Sequence, residues 1–360
     1  MARPGPAPQK RLLAWYGRSR RDLPWRRTKD AYRIWVSEVM LQQTTVKTVL
    51  PYYASFIRRF PSVLALAEAK EEDVLASWSG LGYYHRARNL RRGAQHVVSH
   101  HGGRFPKSLE AALAVPGVGL YTASAILSIA WGVALPVVDG NVRRVLSRFL
   151  ALRGPRWRSD GPYYDKAQEL LDHKHAGDWN QALMELGATI CTPRDPGCPA
   201  CPLRGDCEAL AQGLVEKLPE GKARRAPVDV TVAAAIVERN GRLLLVRRSE
   251  GRLLGRMWEI PQTSLEARGY PDLVRELKEK DGLEVEVAGL VARARHAITH
   301  RRIRVEAYRA RLLRKAPADA DRYAWVTANE ASGLPTSSLT RKLMRALETA
   351  QLPLALGEAG

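Results

Sequence analysis

The four cysteines of the chain, Cys191, Cys198, Cys201 and Cys207, lie close together with the spacing Cys-x6-Cys-x2-Cys-x5-Cys. Four thiolates in so short a stretch can bind one metal centre. A zinc ribbon would show two Cys-x2-Cys pairs, and two disulfides would need an oxidising compartment, for which we find no secretory signal. The spacing therefore favours a structural four-iron four-sulfur cluster, with zinc as the main alternative.

Two carboxyl side chains lie in surroundings that would give them different protonation states. Glu38 is the one acidic residue of an apolar helical segment, residues 34–41. Burial of that segment would raise the pKa of the carboxyl, so that it carries a proton at neutral pH; the alternative is an exposed helix face. Asp139 precedes Gly140 and Asn141 at a predicted helix start, and from the residues alone we favour a helix cap there.

Gly117, Val118 and Gly119 form a glycine-rich turn between two predicted helices. The backbone N–H groups of such a turn can approach an anion closely, and the helix that begins near Tyr121 adds its partial positive charge. The turn suits a DNA phosphate, held directly or through a monovalent cation. Many helix pairs contain such a turn, but here a basic helix with Arg143 and Arg144 follows it.

The composition indicates a polyanionic partner, most simply nucleic acid. The 360 residues carry a formal net charge of +20, and the pI is about 10.2. The alternative explanation is a solvated surface, or an arginine bias from a G+C-rich genome. No apolar run reaches transmembrane length, and residues 1–10 lack the apolar segment of a signal peptide. We therefore expect a short disordered tail and a cytoplasmic protein.

The first half of the chain shows the apolar spacing of helices, interrupted by Gly and Pro. Pro61-Ser62 and Pro106-Lys107-Ser108 are typical of helix starts. Helices are predicted over residues 36–49, 62–78, 83–100, 121–131 and 142–150.

The second half predicts a mixed α+β domain. Residues 228–237 and 242–247 are rich in strand-forming residues, and Asn240-Gly241 between them predicts a tight hairpin turn. Further strands are predicted over residues 285–292 and 303–312, and a helix over 273–280. The predicted bounds are 1–10 for the tail, 11–190 for the helical domain, 191–212 for the cysteine loop, 213–228 for the linker, 229–350 for the α+β domain and 351–360 for a second tail.

Several motifs together resemble a known family. The run Leu-x-x-Pro-Gly-Val-Gly ending at Gly119, the run Asp139-Gly140-Asn141-Val142-x-Arg144 and the cysteine loop are similar to the helix-hairpin-helix DNA glycosylases. Within that superfamily, Leu23-Pro24-Trp25-Arg26 and residues 35–44 resemble the MutY-type adenine DNA glycosylases. The dense match covers residues 11–210. It implies an all-α helix-hairpin-helix catalytic domain with an iron–sulfur loop, followed by a Nudix-like α+β domain.

The resemblance implies a catalytic role for four residues. Glu38 would protonate N7 of the adenine and then help to activate a water molecule. Asp139 would stabilise the positive sugar, either electrostatically or through a covalent intermediate, and Asn141 would orient the groups around it. Tyr121 stands where strand-cutting relatives have a Schiff-base lysine. We therefore expect a monofunctional glycosylase.

The resemblance also implies a set of residues that hold the DNA around a flipped-out adenine. Gln43 and Tyr83 would wedge into the base stack beside the lesion. Trp25, Arg26 and Gln181 would line the pocket for the flipped base. Thr44 and Leu81 are further candidates for substrate binding.

The second domain resembles the Nudix fold, with a degraded metal-binding box at residues 275–283. Lys280 stands where a metal-binding glutamate is expected, and it would repel a divalent cation. We therefore expect the fold without hydrolase activity. Residues 296–300 resemble the loop that reads 8-oxoguanine, with Thr299 and His300 as the reading residues. Ile298 replaces the aromatic residue that family members commonly have.

These features predict an enzyme that hydrolytically excises adenine mispaired with 8-oxoguanine, and also with guanine, and leaves an abasic site. We expect a monomer with one [4Fe-4S] cluster in the bacterial cytoplasm, associated with the nucleoid through double-stranded DNA. Two rival hypotheses are a pyrimidine-directed glycosylase/lyase, which would require lysine in place of Tyr121, and a non-catalytic DNA-binding protein. A Nudix nucleotide hydrolase is a third possibility for the C-terminal half.

Overall fold

The structure, a computed structural model, describes residues 7–220, 226–249, 255–264, 266–298, 301–316 and 319–349. The chain divides into two compact units. The first consists of Met1–Ala69 and Asn89–Arg224, and the second of Lys70–Arg88 and Arg225–Gly360. None of the described helices is both long and apolar enough to cross a membrane.

The first unit is helical. Its helix α8 (Leu120–Trp131) is buried over residues 122–129 because its sequence is apolar on nearly every face. Helix α6 (His85–His101) begins in the second unit and continues into the first. The helices outside the second unit are α1 (Pro8–Ser19), α2 (Ala31–Leu41), α3 (Val46–Arg59), α4 (Val63–Glu68), α7 (Leu109–Leu113), α8 (Leu120–Trp131), α9 (Gly140–Phe149), α10 (Gly161–Glu169), α11 (Ala176–Thr189) and α12 (Glu208–Ala211).

Two of the predicted helices are wrong as single elements. The segment predicted over residues 36–49 is broken between α2 and α3, where Gln43 has a φ of 57° and the Thr45 side chain caps α3. The segment predicted over residues 62–78 is broken between α4 and α5 (Glu71–Ser77). Apolar periodicity continues across both breaks, but caps end a helix locally. The predicted helix start at Ser62 is confirmed by its side-chain cap.

The second unit contains a six-stranded mixed sheet with the order β3-β2-β1-β5-β4, and β6 pairs with β2. Strands β1 and β5 are parallel, and the other pairs are antiparallel. The strands are β1 (Val228–Arg239), β2 (Arg242–Arg247), β3 (Trp258–Glu259), β4 (Val285–Ile298), β5 (Arg301–Leu312) and β6 (Tyr323–Val326). The helices are α5, the start of α6 (His85–His101), α13 (Tyr270–Asp281), α14 (Ala328–Ser332) and α15 (Ser338–Thr349).

The predicted hairpin at Asn240-Gly241 is confirmed. Both residues have positive φ values, 50° and 69°, and Arg239 pairs with Arg242 on either side of them. Strands β4 and β5 are longer than predicted because they pair with each other over most of their length, with irregular register between Val287 and Ala292. The α+β architecture of this unit therefore follows the sequence pattern.

Candidate active site

A cavity of about 1090 Å³ lies in the first unit. Its walls come from α2, α8, α9 and α11, from the segments that join α1 to α2 and α2 to α3, and from the start of α3, so residues far apart in sequence face one space. The cavity contains most of the predicted site residues of this unit: Trp25, Arg26, Glu38, Gln43, Thr44, Tyr121, Asp139, Asn141 and Gln181.

Glu38 is buried in the middle of α2, with an exposed fraction of 5%. Trp35 and Val39 on the same helix are buried as well, so the predicted apolar surroundings are confirmed. The hydroxyl of Tyr121 donates a 2.6 Å hydrogen bond to Oε2 of Glu38. Burial raises the pKa of Glu38 to about 7, against the opposing effect of that hydrogen bond. The carboxyl can therefore hold a proton at neutral pH.

Asp139 is the N-cap of α9, and it also faces the cavity. Its Oδ1 accepts a hydrogen bond from the backbone N–H of Val142 (2.7 Å), and its Oδ2 accepts one from the amide of Asn141 (3.2 Å). Burial raises the pKa of Asp139, and the hydrogen bonds from Val142 and Asn141 oppose that rise. Asp139 can therefore cap α9 and also act in catalysis, because the capping hydrogen bonds hold its carboxylate toward the cavity.

A buried arginine holds Asn141 in place. Arg144 donates to Oδ1 of Asn141 (2.9 Å) and to the backbone carbonyls of Gly187 (2.7 Å) and Cys191 (2.7 Å). Gly187 permits the close crossing of α9 and α11, since a Cβ there would lie 2.6 Å from Cβ of Asn141. The helix start that carries Asp139 is therefore braced against the segment that leads into the cysteine loop.

Glu185 on α11 was not predicted from the sequence. It accepts hydrogen bonds from Arg26 (Nη2, 2.7 Å) and Arg21 (Nε, 2.8 Å; Nη2, 2.7 Å), and its side chain is fully buried. Burial alone would raise the pKa of Glu185, but the two arginines outweigh it and lower the pKa to about 2. The only sequence signal was an acidic residue within the apolar run 182–186. This ionised carboxylate holds Arg26 at the cavity wall.

The remaining predicted pocket residues occupy the same cavity wall. Trp25 is buried and packs edge-on against Tyr53, with ring centroids 5.2 Å apart. The amide of Gln181 is buried and donates to the carbonyl of Gly177 (3.2 Å). The hydroxyl of Thr44 donates to the carbonyl of Gln42 (3.3 Å). These contacts hold the side chains in the wall and leave the space beside Glu38 open.

The glycine-rich turn has the conformation that its sequence predicts. Gly117 has a φ of 80°, and a Cβ there would lie 2.6 Å from Cβ of Asn89. Val118 is buried, and Gly119 caps α8 without a side chain. Gly119 therefore has no side chain that could cap the first N–H groups of α8. A phosphate-binding turn requires this, because those N–H groups have to bind the anion.

Other predicted residues lie elsewhere. Leu81 and Tyr83 belong to the second unit, where Leu81 is buried and Tyr83 is 44% exposed. Thr299 and His300 lie outside the described residues, and so does the side chain of Ile298.

The four cysteines line one small cavity of about 30 Å³, and none of them forms a disulfide. Arg148 donates to Sγ of Cys191 at 3.4 Å, and Sγ of Cys207 lies 3.5 Å from the carbonyl of Arg148. Burial raises the pKa of Cys201 to about 11 and also raises the pKa of Cys207. Four cysteine thiols around one cavity are the donor set that an iron–sulfur cluster uses, although the described residues contain no group of three metal-ligating side chains already placed around a single metal ion.

The degraded Nudix box contains a lysine between two carboxyl groups. Nζ of Lys280 lies 3.7 Å from Oε1 of Glu259 and 3.8 Å from Oδ2 of Asp281. It also donates to the carbonyl of Gln262 at 3.1 Å. Burial raises the pKa of Asp281 to about 6. The ammonium group thus lies among the oxygens that a divalent cation would need.

Comparison with known proteins identifies both parts of the chain. Residues 36–169 match the model for the HhH-GPD superfamily of base excision DNA repair proteins, and residues 232–346 match the NUDIX domain. A thermostable thymine-DNA glycosylase superposes with a TM-score of 0.52 at 29% identity, covering 57% of this chain and 95% of that one. A DNA complex of endonuclease III, at 20% identity and a TM-score of 0.50, shares the fold.

Among curated proteins, the human adenine DNA glycosylase is 39% identical over an alignment that covers 71% of this chain and 57% of the human protein. The adenine DNA glycosylase of Rattus norvegicus is 36% identical, and the alignment covers 94% of this chain and 78% of the rat protein. With that identity over most of both proteins, and with a base-excision domain around the buried carboxyl groups, the chain belongs to the adenine DNA glycosylases, which are N-glycosyl hydrolases acting on DNA.

Proposed function

We propose that the enzyme excises adenine paired with 8-oxoguanine, and also with guanine, and leaves an abasic site. The observation that carries this proposal is the pair formed by Glu38 and Asp139 in one cavity. The pKa of Glu38 is raised to about 7 by burial, so one carboxyl can donate a proton. Asp139 accepts two hydrogen bonds that favour its ionised form. A proton donor and an anion are the two groups that this reaction needs.

The chemistry assigns one step to each group. When the bond between C1′ of the sugar and N9 of adenine breaks, the electron pair stays with the base, and the proton from Glu38 neutralises it at N7. The carboxylate of Asp139 stabilises the positive charge on the sugar, through space or by a transient bond. Water then adds to C1′, and its proton returns to the carboxylate of Glu38. The products are free adenine and an abasic sugar.

We propose that no amine of the enzyme attacks the sugar. Tyr121 replaces the expected lysine, and its phenol is engaged by Glu38 at 2.6 Å. Burial raises the pKa of Tyr121, so the hydroxyl remains a donor at neutral pH. Lys47 at the start of α3 also lines the cavity and is exposed, so it is the amine that has to be tested. The enzyme is accordingly proposed to be monofunctional.

The remaining proposals concern the residues that hold the DNA, the location of the enzyme and a bound cation. Trp25, Arg26 and Gln181 are proposed to enclose the flipped adenine. Gln43 and Tyr83, both with positive φ values, are proposed to wedge the base stack. The further substrate contacts, which include the reading residues of the second unit, are Thr44, Leu81, Thr299 and His300. We propose a monomer that acts on double-stranded DNA in the bacterial cytoplasm, in line with its Buchnera relatives. A monovalent cation is proposed at Gly117–Gly119.

The decisive experiment is single-turnover base release from duplexes with adenine opposite 8-oxoguanine, guanine, cytosine or thymine. We expect fast release opposite 8-oxoguanine, slower release opposite guanine and little opposite the two pyrimidines. Strand cleavage should appear only after alkali treatment. Equal rates on all four duplexes would overturn the 8-oxoguanine assignment. A borohydride-stable adduct that disappears in the Lys47→Ala variant would overturn the monofunctional assignment.

We propose that Cys191, Cys198, Cys201 and Cys207 hold one [4Fe-4S] cluster with a structural role. The purified protein is expected to contain about four iron and four sulfide per chain and to show the broad visible absorption of such a cluster. Iron, sulfide and zinc analyses on the same sample measure this directly. One zinc per chain without sulfide would refute the cluster and favour the zinc alternative.

The Tyr121→Phe variant is expected to shift the alkaline limb of the pH–rate profile to higher pH. The tyrosine hydroxyl stabilises the ionised form of Glu38 and thus lowers its pKa, so the loss of that hydrogen bond raises the pKa of the acid. We expect a shift of about one pH unit in single-turnover rates. Tyr32→Phe is the control, because the Tyr32 hydroxyl is buried and donates to the carbonyl of Phe60 instead. An unchanged limb, or a shift to lower pH, would contradict the assignment of Glu38 as the acid.

A further inference from the structure

Residues 79–84 form a loop in the segment Lys70–Arg88, which belongs to the second unit although well over 100 positions separate it from the remainder, Arg225–Gly360. The loop presents Tyr83, which is 44% exposed and has a φ of 49°. Gly80 and Gly82 beside it have φ values of 109° and 74°. The glycines adopt positive φ values readily, but Tyr83 has a Cβ and does not, so the conformation of Tyr83 needs support from the contacts around it.

Just after the loop, at the start of α6, an arginine supports the tyrosine ring. Arg86 is 4% exposed, and its guanidinium lies 5.5 Å from the ring centroid of Tyr83 and 5.4 Å from that of Trp78. It donates to the carbonyl of Gly82 at 3.1 Å, and Nε1 of Trp78 donates to the same carbonyl at 3.2 Å. These contacts fix the ring relative to the loop, but they do not fix the loop relative to the rest of the unit.

Tyr84, which is 3% exposed, links the loop to the rest of the unit. Its hydroxyl donates to the backbone carbonyl of Thr336 at 3.0 Å and accepts from the N–H of Gly80 at 3.1 Å. The hydroxyl of Ser79 donates to the same carbonyl at 3.0 Å. Thr336 is fully buried and forms a β-bridge with Trp258, the first residue of β3. A chain of hydrogen bonds therefore joins the loop to the sheet.

We propose that Tyr84 is a positioning residue that holds the wedge, Tyr83, at a fixed height above the sheet of the second unit. This proposal rests on the proposed function, in which Tyr83 enters the base stack while the second unit reads the opposite base. The wedge is then held by the same unit that reads the opposite base, because hydrogen bonds to the carbonyl of Thr336 tie its loop to β3. A wedge on a loose loop would lose conformational entropy each time it binds DNA, and it would insert at the wrong depth.

The test is Tyr84→Phe in the full-length protein, which removes one hydroxyl and retains the ring. The single-turnover rate of adenine release opposite 8-oxoguanine is expected to fall about tenfold, since small misplacements of positioning groups have effects of this size. The affinity for a duplex with a non-cleavable adenine analogue opposite 8-oxoguanine should change less than about threefold, because phosphate contacts dominate it. Ser79→Ala removes the other bond to Thr336 together with the hydrogen bond that Ser79 accepts from Arg341, and it is expected to act in the same direction.

Tyr32→Phe is the matched control. It removes a buried phenol hydroxyl that donates to the carbonyl of Phe60 at 2.7 Å, and Tyr32 belongs to the first unit. A purely structural role of Tyr84 would lower the melting temperature and leave the excision rate at the wild-type value, as expected for the control. That outcome would overturn the proposal.

A double-mutant cycle with Tyr83→Ala separates positioning through Tyr83 from any direct effect. If Tyr84 acts through Tyr83, the rate of the double variant should equal that of Tyr83→Ala alone. Multiplicative losses would overturn the proposal. Failure of the wild-type enzyme to release adenine opposite 8-oxoguanine would instead count against the proposed function, so the two failures are distinguishable.

Discussion

Glu38→Gln is expected to reduce adenine release by about 10²- to 10⁴-fold, the range typical of losing a general acid–base group. Glutamine has nearly the same shape as glutamate and can accept the hydrogen bond from Tyr121, but it has no proton to give to the leaving base. The measurement is the single-turnover rate with adenine opposite 8-oxoguanine. Affinity for the same duplex should remain within a few-fold of wild type, and a large loss of affinity would contradict the assignment.

The same variant should change the pH dependence of stability. Burial raises the pKa of Glu38 to about 7 in the folded chain. A carboxyl whose pKa is raised by folding favours the folded state fully below its unfolded pKa, and that contribution is lost as the pH rises through about 7. Glutamine does not titrate, so Glu38→Gln does not lose stability in this way. Relative to wild type, the free energy of unfolding of the variant should rise by about 3 kcal/mol between pH 4 and pH 8.

Chemical denaturation at several pH values measures this difference. Glu110→Gln is the matched control, because Glu110 is an exposed glutamate in the first turn of α7. It should leave both the excision rate and the pH dependence of stability unchanged. Identical pH profiles for Glu38→Gln and wild type would contradict a raised pKa for Glu38.

Asp139→Asn is expected to have the second large effect, a loss of about 10³-fold in adenine release. Asparagine caps helices as well as aspartate does, so α9 should remain intact. It lacks the negative charge, however, and a preorganised charge beside a developing cation is typically worth several kcal/mol of barrier. The variant therefore separates the two interpretations of Asp139, because a residue that only capped the helix would tolerate the change.

Asp30→Asn provides the control for this experiment. Asp30 caps α2 through hydrogen bonds from the backbone N–H groups of Tyr32 and Arg33. It undergoes the same chemical change without a role in the cavity. We expect both variants to melt within a few degrees of wild type, and only Asp139→Asn to lose base release. Equal activity in the two variants would show that the charge of Asp139 has no catalytic role.

The sequence alone determined those features that depend on neighbouring residues. The cysteine spacing placed four sulfur donors on one short loop. The apolar run around Glu38 predicted its burial, and Asp139 before Gly140 predicted a helix start. Asn240-Gly241 predicted its hairpin because few other residue pairs accept two positive φ values. Each of these signals is short-range, since caps, turns and helix faces are set by residues within a few positions of one another.

The tertiary structure alone decided which distant groups meet. Tyr121 and Glu38 are 83 positions apart and share a hydrogen bond, and Glu185 fixes Arg26 over 159 positions. Apolar periodicity predicts whether these residues are buried or polar, but it does not predict which residues they contact. Tyr84 meets the carbonyl of Thr336 across 252 positions through a backbone atom that has no sequence signature. Only packing of the folded chain brings such groups within hydrogen-bonding distance, because a residue pattern records which face is buried and leaves open what that face contacts.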